Sequence, residues 1–165
     1  MIHLVPGDLA SVTADAVVRP ATTRLEPMTP ALRRLDEAAG PKFLEQCRLQ
    51  RELPAGAAVV TGAGDLRAEF VVHLVLGSGP DTVTTDSLRR AIDAALWQCT
   101  QWQIAILAFP VPSAGNLTPA TAVGVVLDAL RAHMRNADHP ATVLIVTAND
   151  TEHDLVSARI GQGGP

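Results

Sequence analysis

Residues 57–77, AAVVTGAGDLRAEFVVHLVLG, constrain the fold more than any other part of the chain. Residues 58–61 and 70–76 are apolar and β-branched, the composition of interior strands. Between them lies a turn built on Gly62 and Gly64, residues that adopt backbone conformations a side chain resists. Two buried strands cannot stand alone, so the rest of the chain must supply a sheet and the layers that cover it.

The flanking sequence supplies both. Residues 2–5 and 15–19 read as short strands, and 27–30 as a breaker region. Residues 31–39 and 41–49 read as helices separated by Gly40-Pro41. Residues 86–102 form an amphipathic helix with Asp86 as its N-cap. Leu88, Ala91, Ile92, Ala95, Leu96 and Cys99 lie along its apolar face. Residues 104–109 are a buried strand, followed by the loop PVPSAGNL. A helix over 119–134 has Thr118 as N-cap and Pro119 in its first turn. Residues 142–146 form a last strand, and Asp150 or Thr151 opens a last helix. Strands followed by helices predict an α/β fold, a three-layer α/β/α sandwich around a mixed, mostly parallel central sheet. Ligands in such folds bind at the carboxyl ends of the strands, which selects the loops 19–30, 110–119 and 147–152. One domain over residues 1–160 and a frayed tail over 161–165 are expected.

Composition removes several function classes. Charged residues are 18% and apolar ones 47% of the 165, so a packed core is expected rather than disorder. No apolar run is long enough to span a bilayer, and the first residues lack the pattern of a signal peptide. The net charge of −4 and scattered basic residues argue against a nucleic-acid-coating surface. Cys47 and Cys99 read as reduced thiols of a cytoplasmic protein. His3, His133, His139 and His153 show no metal-ligand spacing, and His73, inside a strand, reads as a hydrogen-bonded structural residue. No metal or other cofactor is expected. A single lysine, Lys42, against twelve arginines suggests a GC-rich, bacterial coding genome.

Four motifs, in this order, resemble the macro domain family, the ADP-ribose-binding fold. They are Gly7-Asp8-Leu9, Ala38-Ala39-Gly40-Pro41, the run from Thr61 to His73, and Ala108-Phe109-Pro110. The resemblance covers residues 1–160. It implies that Asp8 accepts a hydrogen bond from an adenine amino group and that the amide of Leu9 donates to the ring; the alternative for Asp8 is a turn cap. It implies a phosphate loop at Ser113, Ala114, Gly115, Asn116 and Leu117, beside a helix start where partial positive charge collects.

The chain departs from the family where catalysis resides. Val17-Val18-Arg19-Pro20-Ala21-Thr22 stands where the family carries an Asn-Ala-Ala-Asn run, so Arg19 and Thr22 replace two asparagines. Arg19 has a planar fork suited to phosphate or carboxylate, or else it is a solvated loop residue. Pro27-Met28-Thr29-Pro30 replaces a glycine-rich loop. Asp36, near a position often held by histidine, reads as a surface helix carboxylate. The aromatics that relatives place near 117 and 149–150 are missing, and base stacking is worth about 1–3 kcal/mol.

The resemblance therefore implies a weak binder of ADP-ribose or a related adenine nucleotide, with no catalytic residue assigned and no efficient hydrolysis. The expected ligand contacts are Asp8, Leu9, Arg19, Thr22 and residues 113–117. Two alternatives stand beside it. One is a remodelled ADP-ribosyl hydrolase or phosphatase using Arg19, Thr22 and Asp36. The other is a protein-interaction module whose cleft is filled by Met28, Arg19 or Leu117.

Overall fold

The computed structural model describes residues 1–113 and 116–162. Six strands make one sheet: β1 (Ile2–Pro6), β2 (Ala16–Thr22), β3 (Ala58–Gly62), β4 (Phe70–Gly77), β5 (Ile106–Pro110) and β6 (Thr142–Thr147). The helices are α1 (Pro30–Ala39), α2 (Pro41–Leu49), α3 (Thr85–Gln101), α4 (Pro119–Met134) and α5 (Asp150–Gln162). Strand order is β1-β6-β5-β2-β4-β3, antiparallel only between β3 and β4. This is the three-layer sandwich expected from the sequence.

Alternation along β2 shows how the layers form. Ala16 and Val18 point into the larger core, where Leu88, Ile92, Leu96, Leu127 and Leu130 of α3 and α4 also pack. Val17 points to the opposite face, against Leu32 and Leu35 of α1. Ala21 meets Phe43 and Cys47 of α2 on that same face.

β2 runs three residues further than its apolar run suggests, through Pro20. Its pairing with β5 covers only Ala16 and Val17, whereas its pairing with β4 continues to Thr22. Beyond Val17 the sheet splits. Pro20, which has no N–H to offer a ladder, is tolerated beside the gap.

Local chemistry sets the helix starts. Thr29 Oγ1 accepts from the Leu32 amide and caps α1, and Thr118 Oγ1 does the same for Thr121 in α4. The cap of α3 is Thr84, not Asp86. Thr84 and Ser87 exchange side-chain-to-backbone hydrogen bonds, and Asp86 pairs with Arg90 at 3.6 Å. α5 extends to Gln162, two residues past the expected domain end; residues 163–165 lie outside the described residues.

The central turn depends on one glycine rather than two. Gly62 is a β3 residue. Gly64 has φ +58°, and a Cβ there would lie 2.2 Å from the carbonyl oxygen of Ala39. The next amide, Asp65, donates to that same oxygen at 2.8 Å, so the turn is pinned to the end of α1. Gly64→Ala is expected to cost more than about 2 kcal/mol through left-handed strain and overpacking. Gly79→Ala, at an extended position with nothing within 4 Å, is expected to stay within about 0.5 kcal/mol of the parent. Urea midpoints of the two variants check this, and indistinguishable midpoints would contradict it.

Candidate functional site

The split between β2 and β5 opens into a cleft of about 420 Å³ at the carboxyl ends of the parallel strands. Each wall comes from a different loop. Gly7, Asp8 and Leu9 follow β1. Pro110, Val111 and Ser113 end β5 and enter the next loop. Val146, Ala148 and Glu152 come from β6 and the start of α5. From the β2 side come Pro20 and then the opening of α1, Thr29 to Leu32 with Arg34. All three loops selected from the sequence contribute.

Asp8 does two things at once. Its Oδ1 accepts from the Ala10 amide at 3.1 Å, capping the short 3₁₀ turn Leu9–Ser11. It also lines the cleft, and its Oδ2 makes no hydrogen bond among the described residues. Across α5, Asn149 Oδ1 accepts from the Glu152 amide and Glu152 Oε1 accepts from the Ala148 amide, both at 2.9 Å. The two residues tie that wall together.

Beside the cleft, under the sheet, lies the only fully buried ion pair among the described residues. Arg19 is 1% exposed. Its Nε and Nη2 donate to the two carboxylate oxygens of Asp36 at 2.7 and 2.8 Å. Nη2 also donates to the carbonyl oxygen of Leu25 at 2.9 Å. Nη1 lies 3.2 Å from Nδ1 of His73, the residue directly across the β2–β4 ladder. A guanidinium has only donors, so Nδ1 is the acceptor and the His73 proton sits on Nε2, facing Thr61 Oγ1 at 2.9 Å. Burial, then the adjacent Arg19 charge, pushes the His73 pKa well below its ordinary value, so the ring is neutral. Phe43 stacks on His73 and lies 5.5 Å from the guanidinium carbon.

Two sequence expectations are corrected here. Asp36 is not a surface carboxylate: it is 5% exposed and belongs to this pair. Arg19 is neither a solvated loop residue nor a cleft residue, because every guanidinium nitrogen has an internal partner. Both positions carried a readable signal. Asp36 falls on the buried stripe of α1 with Leu32, Leu35 and Ala39. Arg19 shares a strand face with Val17 and Ala21.

Other expected contacts also sit away from the cleft. Thr22 is buried, and its Oγ1 accepts from the amides of Arg24 and Glu26, holding the turn after β2. Leu117 packs against the larger core, and Asn116 Nδ2 reaches the carbonyl oxygen of Asp81. Of the expected phosphate loop, Ser113 lines the cleft; Ala114 and Gly115 lie outside the described residues. Ala31, Leu32, Arg34 and Glu152 were not among the expected contacts.

No group of three potential metal ligands occurs among the described residues. Burial pushes the Cys47 thiol up to about 11 and the Cys99 thiol up to about 12, so neither is a ready nucleophile. No helix among the described residues is long and apolar enough to cross a membrane.

A family model, that of the macro domain, matches residues 18–122. The chain belongs to the macro domain family. A macro domain-containing protein of Methanosarcina mazei is 26% identical over 156 residues, covering 90% of this chain and 81% of that protein. An O-acetyl-ADP-ribose deacetylase of Citrobacter koseri is 34% identical over 144 residues, covering 80% and 81%. The Trypanosoma brucei macrodomain, solved in complex with ADP-ribose, superposes with a TM-score of 0.88 at 21% identity, covering 97% of this chain and 69% of that one. That likeness is one of fold.

In this macro domain the stretch Val17 to Thr22 is buried throughout. Of its residues, only Pro20 lines the cleft. Asp36→Ala should therefore act on stability, by stranding a buried guanidinium at a cost of about 3–5 kcal/mol. The double change Arg19→Met with Asp36→Leu is expected to cost clearly less than the sum of the two single changes. Urea denaturation of the full cycle checks this. A loss below about 1 kcal/mol for Asp36→Ala would mean that the pair does not hold the fold.

Proposed function

We propose that this macro domain binds ADP-ribose or a related adenine nucleotide in the β2–β5 cleft, with low affinity and without efficient hydrolysis. The observation that carries the reading is the pairing of an open cleft with a β2 end that gives it no polar side chain. A volume of about 420 Å³ falls within the range of small-molecule sites. Asp8 supplies a free carboxylate oxygen beside the backbone of Leu9, a donor–acceptor arrangement suited to an adenine edge. Family membership and the fold shared with a macrodomain solved with ADP-ribose support the ligand class.

Low affinity follows from what the cleft lacks. The stretch over 27–30 brings two prolines and few free amides where close backbone approach to a diphosphate needs glycine. No aromatic side chain lines the described cleft. Hydrolysis needs a distal ribose and a water held in register, and small misplacements cost orders of magnitude in rate. Thr22, in place of the second asparagine, is turned into its own loop.

A deacetylase activity is the second reading, favoured by the names of relatives such as the Citrobacter koseri protein. It is the weaker one, because Arg19 and Asp36, two of the residues a remodelled hydrolase site would use, are occupied with each other. The interaction-module reading needs the cleft filled. Arg19, Met28 and Leu117 instead pack away from it, Met28 and Leu117 against the cores.

Calorimetric titration with ADP-ribose tests the proposal. Binding weaker than about 1 μM, roughly −8 kcal/mol, is expected. Asp8→Ala should remove most of it while leaving the circular dichroism spectrum unchanged. Tighter binding would contradict the low-affinity reading, and unchanged affinity in the folded variant would remove Asp8 as the anchor.

A further inference from the structure

We infer that Arg34 is an anion-binding side chain of the cleft, the one that meets the diphosphate of a bound ligand. The inference rests on the nucleotide reading above and supplies the recognition element which that reading leaves open.

Among the described lining residues Arg34 is the single cationic side chain. The two other charged groups there, Asp8 and Glu152, are carboxylates, and Glu152 is engaged with the Ala148 amide. An anion in the cleft is therefore driven toward the α1 wall and away from the other two. Arg34 is exposed and forms no ion pair or hydrogen bond within the described residues, so no internal partner has to be given up. It differs in this from Arg19, whose fork is filled by Asp36.

The backbone of the same wall offers one amide, that of Ala31: Pro30 has no N–H, the Leu32 amide is spent on Thr29 Oγ1, and the Arg33 amide on the Thr29 carbonyl. Where a glycine-rich loop would present amides to phosphate oxygens, this wall presents a guanidinium. Arg34 stands three and four residues after Ala31 and Pro30, on the same helix face as those two cleft residues. A guanidinium binds phosphate oxygens bidentately with charge-assisted hydrogen bonds, so one side chain replaces several weaker donors.

The test titrates the parent, Arg34→Ala and Arg34→Lys with ADP, adenosine and inorganic pyrophosphate. Arg34→Ala is expected to weaken ADP and pyrophosphate roughly 10- to 100-fold and to leave adenosine unchanged. Arg34→Lys should fall between, because it keeps the charge and loses the fork. Raising ionic strength should weaken ADP binding more in the parent than in Arg34→Ala. Equal losses for ADP and adenosine would overturn the inference, since Arg34 would then merely shape the cleft. So would ADP binding that ignores Arg34, although the nucleotide reading would survive. Arg34-dependent pyrophosphate binding with no preference for ADP would keep the inference and remove the nucleotide reading. If none of the three ligands binds the parent, both fall.

Discussion

A guanidinium buried against the face of a sheet obliges the chain to bring it a carboxylate, because an unpaired buried charge costs more than folding can spare. Arg19 occupies such a place, and Asp36 is the answer. The pair spans β2 and α1, so it sets where α1 lies on the sheet. Through the Leu25 carbonyl it also holds the turn that leads into α1. Through His73 it reaches β4, and through Thr61 it reaches β3. Leu25 has φ +58°, a left-handed backbone that a non-glycine residue adopts at a cost. The hydrogen bond from Arg19 to its carbonyl oxygen, and that from its own amide to the Thr22 carbonyl, hold it there. Five segments are thus tied to one side chain. Buried pairs of this kind are often no more stabilising than well-packed apolar side chains of similar volume, although removing one partner alone is costly.

The cleft is shaped by that same commitment. The sheet splits between β2 and β5 because their ladder ends at Val17, and the polar side chain that follows is turned under the sheet. The ligand side of β2 is left with Pro20 alone. In the proposed reading, recognition falls to groups on other elements that line the cleft, the Asp8 carboxylate after β1 and the Arg34 fork on α1. Their positions are fixed by the sheet and by a helix, which favours defined geometry even with few contacts.

Much of the fold was legible in the residues. The apolar runs placed all six strands, and Thr118-Pro119 marked the start of α4 to the residue. Thr84 was passed over for Asp86 because both are good caps; the reciprocal bonding with Ser87 decides between them. The site was harder to read. Motif order brought Asp8, Leu9 and Ser113 to the lining of the cleft, because it carries over the position of a loop. Asp36 was assigned to solvent, and Arg19 to the ligand or to a solvated loop, on residue type alone. Alternation and the helical period both placed them inside, but a charge is credited to a buried stripe only once its partner is known, and that partner is seventeen residues away. Arg34 carries no local signal. It becomes a cleft residue only when α1 is laid against the split in the sheet.

The central claim is that this macro domain uses one arginine to hold its fold and another to meet its ligand. The most direct measurement is a crystal structure of the chain soaked in ADP. The expected result is a diphosphate within hydrogen-bond distance of the Arg34 guanidinium, with the Arg19–Asp36 pair intact beneath the sheet. A diphosphate held by Arg19, with Asp36 released from it, would contradict the account.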